Sequence, residues 1–294
     1  MYYLLLGFFY LISFIPFRLL YLLSDMIWFL FFYVIRYRRK VVMYNLSIAF
    51  PEKTEAERKQ ICRKFYRRFT DNWLEAIKLL SMSEKTIRKR MQIDFGPLPE
   101  IFESGRCCHI HLGHHFNWEW ANVAFGLNGK FSMLGVYQPI SNKAIDRLFR
   151  YFRSKSGTVL LAANNMNQDL LAWRKKQYIM GLVADQNPSN VRRAFWTDFF
   201  SRPAPFIPGP EKNARWNDIP VVFARIERIK RGYYRCVLTL AEDHPAQTKE
   251  GELTLRFVDF LESCIRAQPE TWLWTHRRWK HEWNETYRGR WLNR

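Results

Sequence analysis

The chain has 294 residues, with 46 Lys and Arg against 27 Asp and Glu and a formal net charge of +19. That length accommodates one sizeable α/β domain with appended helices and does not demand two; the surplus charge selects anionic partners, whether nucleic acid, anionic lipid, a phosphorylated substrate or an acidic protein. The five cysteines, Cys62, Cys107, Cys108, Cys236 and Cys264, are odd in number and scattered, which argues against a disulfide framework or a zinc knuckle and fits a reducing, cytosol-facing location.

From Met1 to Ile35 only Arg18 and Asp25 have side chains charged at neutral pH. The first apolar run, Met1 to Phe17, is near the minimum that crosses a hydrocarbon core, and Pro16 with Arg18 interrupts it before a second run from Leu19 to Ile35. A hairpin, one tilted span and a helix lying in the interface all fit, and the competing reading is a buried helix pair of a soluble protein. No basic side chain precedes the run and no small-x-small site follows it, which argues against a cleaved signal peptide. Arg36, Arg38, Arg39 and Lys40 come next; by the positive-inside rule they keep the rest of the chain cytoplasmic, and they suit anionic headgroups. The chain is therefore divided into a membrane segment with a basic flank (1–40), a helical connection (41–100) and an α/β domain (101–294).

Thr54-Glu55-Ala56-Glu57 has capping-box spacing ahead of a helix running to about Leu80. Ile61, Phe65, Phe69, Trp73, Ile77 and Leu80 recur at three or four positions and predict a core-facing stripe, with Arg63, Lys64, Arg67 and Arg68 opposite. A short helix from Glu84 to Met91 leads through Gly96-Pro97-Leu98-Pro99 into the main domain. There, strand-like runs at Arg106 to Leu112, Lys130 to Tyr137, Thr158 to Leu161, Tyr178 to Ala184, Pro220 to Ile229 and Tyr233 to Leu240 alternate with helical stretches. The helices fall near Trp118 to Leu127, Asn142 to Ser154, Asn165 to Lys175, Glu211 to Asn217 and Lys249 to Ala267. This order predicts a mixed, largely parallel sheet covered by helices. Functional residues of such sheets gather at strand C-terminal ends, where His114 and Asp185 fall.

The run from Gly113 to Glu119 places an imidazole, His114, five positions before a carboxylate, Glu119. Residues so spaced do not face one another on a continuous helix, so a working pair needs the His in a turn and the Glu in the helix that follows. His109, His111, His114 and His115 crowd into the same region, and His109-Ile110-His111-Leu112-Gly113-His114 approximates the HxHxDH pattern of binuclear metallohydrolases. The pattern's Asp is Gly113 here, and no downstream cluster offers the missing ligands. The other reading needs no metal: His114 takes a proton from an attacking hydroxyl while Glu119 holds the second ring nitrogen.

Gly113-His114-x-x-Asn117-Trp118-Glu119 resembles the core motif of the bacterial lipid A biosynthesis acyltransferases, the late lauroyl and myristoyl transferases, within the wider group that shares a His-x4-Asp/Glu pair. The similarity continues through Asn45-Leu46 with Phe50-Pro51, Val136-Tyr137-x-Pro139 with Asn142, and Arg153 shortly before Gly157. It extends further through Asp185-Gln186, Phe200-x-Arg202-Pro203-Ala204 leading to Gly209, and Pro269-Glu270-x-Trp272-x-Trp274-x-His276-Arg277-Arg278-Trp279-Lys280. Gln138, where the family often has Arg, and His115, where it is usually apolar, depart from the pattern.

The resemblance implies transfer of a fatty acyl group from acyl carrier protein to a hydroxyl of a 3-hydroxyacyl chain on a lipid A precursor, at the cytoplasmic face of the inner membrane. His114, Glu119, Arg153 and Asp185 are then the catalytic candidates; Asn117, Tyr137, Gln186, Gly209 and Glu211 are candidate substrate contacts. Arg153 suits an oxyanion or the acceptor's phosphates, and Asp185 suits assistance to the base or contact with the acceptor. No cofactor or metal is expected, and no acyl-enzyme, since neither Cys107 nor Cys108 has an activating arrangement. The partners implied are acidic acyl carrier protein, an anionic glycolipid and a membrane, with no nucleic acid. Trp272, Trp274, Trp279, Trp283 and Trp291, among basic residues, are read as interfacial or core packing. Three alternatives remain: the same chemistry on another glycolipid or an amino-acid lipid, the metallohydrolase, and a non-catalytic basic protein tethered to the membrane.

Overall fold

The computed structural model describes residues 2–128 and 132–294. Two apolar helices open it: α1 (Tyr2–Phe14), and α2 (Phe17–Phe29) with a wider helical turn over Leu30–Val34. Next come α3 (Arg39–Ala49) and the long α4 (Glu55–Lys78), which begins with the expected capping box, Glu57 accepting from the Thr54 N–H at 2.7 Å. The chain continues through α5 (Glu84–Arg90), β1 (Met91–Asp94), α6 (Leu98–Glu103), β2 (Cys108–Leu112), α7 (Trp118–Gly126), β3 (Met133–Tyr137), α8 (Lys143–Ser154) and β4 (Val159–Ala162). It closes with α9 (Met166–Asp169), β5 (Ile179–Val183), β6 (Phe195–Phe199), β7 (Arg202–Phe206), α10 (Gly209–Asn217), β8 (Val221–Lys230), β9 (Tyr233–Glu242) and α11 (Glu252–Ala267).

Among the described residues seven strands form one mixed sheet in the order β1-β9-β8-β2-β5-β3-β4. Every neighbouring pair is parallel except β8 with β9, whose hairpin runs antiparallel. The expected α/β architecture is what the chain adopts. Both faces of β2 are covered, as a central parallel strand requires: Ile110 joins the cluster built around Trp120 and Phe125 of α7, while the His111 ring lies against Phe257 of α11.

Several details differ from the sequence reading. The helix expected to reach Met91 ends at Arg90, and Met91–Asp94 becomes an edge strand parallel to β9, so the 41–100 segment supplies a strand of the sheet. β6 and β7 form a separate antiparallel pair that the sequence hides, because Pro203 and Pro205 read as strand breakers. The predicted strand from Lys130 begins at Met133; Lys130 and Phe131 lie outside the described residues. The helix expected over Asn165 to Lys175 is α9 followed by a tight helical turn over Leu170–Trp173. On α4 the buried face holds Cys62, Phe65, Tyr66 and Phe69, whereas Trp73 is half exposed. Trp272, Trp274 and Trp279 are core, packed with Phe65, Phe116 and Phe199.

Candidate active site

β2 and β5 are adjacent and parallel, with Leu112 opposite Val183, so the residues that leave their C-terminal ends meet. Gly113 makes the first turn. A Cβ there would stand 2.6 Å from Leu261 Cδ1 and 3.1 Å from Asp185 Oδ2, so the turn closes this tightly only on a residue with no side chain. His114 follows, and its Nδ1 lies 2.5 Å from Asp185 Oδ1. Asp185 Oδ2 accepts the His114 backbone N–H at 2.8 Å and the Trp272 indole N–H at 2.6 Å. Burial pushes the Asp185 pKa upward, but the His114 charge and these hydrogen bonds prevail and hold the carboxyl well below its usual range. An ionised Asp185 fixes the imidazole proton on Nδ1 and leaves the Nε2 lone pair free. Gln186 agrees with that tautomer, its amide nitrogen donating to His114 Nε2 at 3.2 Å.

The sequence reading gave the second ring nitrogen to Glu119; the structure gives it to Asp185. Glu119 sits in the first turn of α7 and faces α8, where its Oε1 is 3.6 Å from Arg153 Nη2. Both side chains are largely buried, with 14% and 17% exposure. Burial raises the Glu119 pKa, and the Arg153 charge opposes the rise. Trp118 joins the two pairs: its ring lies edge-on to His114 with centroids 6.3 Å apart, and the Arg153 guanidinium stands 4.5 Å from its centroid. The four candidate catalytic residues thus form two pairs, His114 with Asp185 and Arg153 with Glu119, on either side of one indole.

Arg153 borders two apolar cavities. One lies between α7 and the sheet, about 580 Å³ including space open to solvent, between Trp118, Asn122 and Phe125 above and Leu112, Gly135 and Gly181 below. The other, about 1020 Å³ and partly open to solvent, is lined by Leu5 and Phe9 of α1, Trp73 and Ile77 of α4, Leu148 and Phe149 of α8, and Glu119. A charged and titratable centre flanked by slots for hydrocarbon suits chemistry on a lipid chain.

Residues 1–281 match the family model for bacterial lipid A biosynthesis acyltransferases. The chain belongs to that family. A lipid A biosynthesis acyltransferase of Haemophilus influenzae is 24% identical over 277 residues, covering 92% of this chain and 85% of its own length. A lipid A biosynthesis lauroyltransferase of Escherichia coli is 23% identical over 246 residues, covering 83% and 79%.

The remaining candidate residues of this acyltransferase divide. Tyr137 lines the cavity under α7, and Gln186 touches His114. Asn117 does not face a cavity: it is fully buried, and its amide donates at 2.6 Å to Glu75 of α4, which also takes hydroxyl hydrogen bonds from Tyr21 and Tyr234 at 2.7 Å and, on its backbone carbonyl, the Trp120 indole. Asn117 therefore holds the His114–Glu119 segment onto α4. Glu211 is likewise structural. It accepts from the Gly251 and Thr254 N–H groups and the Thr254 hydroxyl, stitching α10 to the start of α11, and it lines a small cavity with His111 and Phe257 on the other side of the sheet. Gly209 opens α10 beside it.

The histidine cluster separates as well. His109 and His111 are buried on the α11 side of β2, where burial pushes their pKa values down to about 3, and buried His115 falls to about 4. Among the described residues no three His, Cys, Asp or Glu side chains are grouped to hold a metal ion. Only His114 of the four is not buried, with its side chain 20% exposed. Sequence reasoning missed two participants. Trp272 was taken only as packing, and Glu75 sits in a helix whose charges look solvated.

Proposed function

We propose that this acyltransferase moves a fatty acyl chain from the thioester of acyl carrier protein to a hydroxyl on a lipid A precursor at the cytoplasmic face of the membrane. His114 Nε2 takes the hydroxyl proton, entering where the Gln186 amide now sits. The oxygen attacks the thioester carbonyl, the C–O bond forms, the C–S bond breaks, and the leaving thiolate takes the proton back from the imidazolium. Asp185 keeps Nδ1–H in place and stabilises the imidazolium while it exists. Arg153 is the cation available to the tetrahedral oxyanion or to the acceptor's phosphates; Glu119 acts through it, holding the guanidinium over Trp118. The apolar cavities beside Arg153 receive hydrocarbon, and the basic surface favours acidic and phosphorylated partners.

The observation that carries this reading is the Asp185–His114 contact at Nδ1, which leaves Nε2 hydrogen-bonded only to the Gln186 amide, at 3.2 Å, among the described residues. It is tested by mass spectrometry of lipid A from a deletion strain carrying either the wild-type chain or His114→Ala. The deletion and the variant should both yield lipid A short of one acyl chain. Full acylation with His114→Ala would overturn the mechanism, and unchanged lipid A on deletion would point to another acceptor.

A further inference from the structure

The outward faces of helices α1 and α2 are apolar. The large exposed side chains of α1 are Tyr3, Leu4, Phe8, Leu11 and Phe14. Those of α2 and its continuation include Leu19, Leu22, Met26, Phe29 and Tyr33. Steps of three and four residues, after the adjacent pair Tyr3-Leu4, place each set on one side of its helix.

The opposite face of α2 buries Leu20 and carries polar groups bonded along its length to α4. The Tyr21 hydroxyl donates to Glu75 at 2.7 Å, the Ser24 hydroxyl to Asp71 at 2.7 Å, and the Trp28 indole to the Arg63 carbonyl at 3.3 Å. Asp25 receives Arg67 and Arg231, each at 2.9 Å. Phe17–Val34 is long and apolar enough to cross a bilayer. Were it to do so, it would carry Arg63, Lys64 and Arg67 of α4, all exposed, into hydrocarbon, at roughly 3 kcal/mol or more each. A helix lying in the interface meets no such cost.

Cations border the stripes. Arg63 and Arg67 stand 5.4 and 5.9 Å from the Trp28 ring centroid, Arg39 is 4.7 Å from Phe32, and Arg147 of α8 is 4.2 Å from Tyr2. The Tyr151 hydroxyl of α8 bonds that of Tyr10 at 2.8 Å, and Ile145 is exposed on the same helix. An apolar surface rimmed by arginine fits the boundary between acyl chains and anionic headgroups.

We propose that α1, α2 and the outer face of α8 form a monotopic docking surface seated in one anionic leaflet, with α2 lying along the bilayer plane and not crossing it. The inference rests on the membrane location read above and gives it a geometry. The cavity that α1 and α8 line, with Glu119 and Arg153 at its edge, then backs directly onto the lipid.

The test uses the full chain with Cys107→Ser, the other four cysteines being buried. Single cysteines at Leu19, Leu22, Met26, Phe29 and Val34 carry an environment-sensitive fluorophore in phosphatidylglycerol-containing vesicles, quenched by lipids bearing nitroxides at graded depths. All five labels should report one shallow depth. A spanning helix would spread Leu19 and Val34 by about 22 Å along its axis, and a depth profile running through the bilayer centre would overturn the proposal. Arg63→Glu with Arg147→Glu should weaken binding to anionic vesicles on the order of 100-fold and leave binding to neutral ones little changed; unchanged anionic binding would also overturn it. Acyl transfer measured in the same vesicles separates the two readings. Activity with a spanning profile removes only the docking geometry, and inactivity with uniform shallow labels removes only the reaction.

Discussion

Replacing Asp185 by Asn exchanges one oxygen for an NH2 group and should remove most of the activity. Asp185 Oδ2 accepts two N–H donors, from the His114 backbone and Trp272, while Oδ1 faces His114 Nδ1 alone. In Asp185→Asn the carbonyl oxygen of the new amide is drawn to the position with two donors, because an NH2 group there would meet both N–H groups head-on. The amide then donates to Nδ1, the ring proton moves to Nε2, and the base loses its lone pair on the side where the hydroxyl must approach. A wrong tautomer of this kind, with the imidazolium also deprived of its carboxylate, costs about 10³ to 10⁴ in kcat, or roughly 4 to 5.5 kcal/mol of barrier. The assay is acyl transfer from acyl carrier protein to a lipid A precursor in mixed micelles, with the circular dichroism of the variant checked against the parent. Activity within tenfold of the parent would refute the assignment of Asp185 as the partner of the base.

Other perturbations give further checks. Glu119→Ala and Arg153→Ala should each cost about 10- to 100-fold, and the double variant little more than either single one, because the two side chains act as a unit; additive losses in a double-mutant cycle would break the pair. Gly113→Ala drives a methyl toward Leu261 and Asp185, so transfer should fall at least tenfold for a thermal shift expected from about 1 to 3 kcal/mol of overpacking, and a variant of full activity would contradict the tight turn. Acid should destabilise the fold through its buried histidines. His109, His111 and His115 have folded pKa values below the unfolded one, so their stabilisation is present above about pH 6.5 and is lost as pH falls, by about 1.4 kcal/mol per pH unit for each. His276, lowered to about 4, adds to that slope, whereas Glu75, raised to about 7 by burial and the Asp71 charge, opposes it. Denaturant titrations from pH 7 to 5 should therefore show falling stability, and His111→Met should flatten the fall; a slope unchanged by that substitution would count against the buried neutral imidazole. Trp272→Phe keeps an aromatic ring but deletes the N–H to Asp185, and should lower kcat about tenfold with little change in KM.

Six of the sheet's seven strands were legible because they are apolar runs of the right length, unlike the short polar β1, and His114 and Asp185 stood out as polar residues ending two of them. Their pairing was not legible. It joins positions 71 apart, and Trp272 lies a further 87 along, so no local spacing carries it. The nearer carboxylate, Glu119, drew the assignment instead, although the start of α7 turns it toward α8. The resemblance offered Asn117 and Glu211 as substrate contacts; their hydrogen bonds to α4 and α11 exist only once the chain is folded. Composition likewise did not separate an interfacial tryptophan belt from a core, and burial assigns Trp272, Trp274 and Trp279 to the core.

The central claim is that Asp185 holds the proton of His114 on Nδ1 and leaves Nε2 as the base. Nitrogen-15 spectra of histidine-labelled protein in micelles, with the His114 resonances identified by their loss in His114→Gln, test it directly. The neutral imidazole should carry its proton on Nδ1 and leave Nε2 bare and pyridine-like, the two exchanging places in Asp185→Asn. A wild-type His114 protonated on Nε2 alone would contradict it.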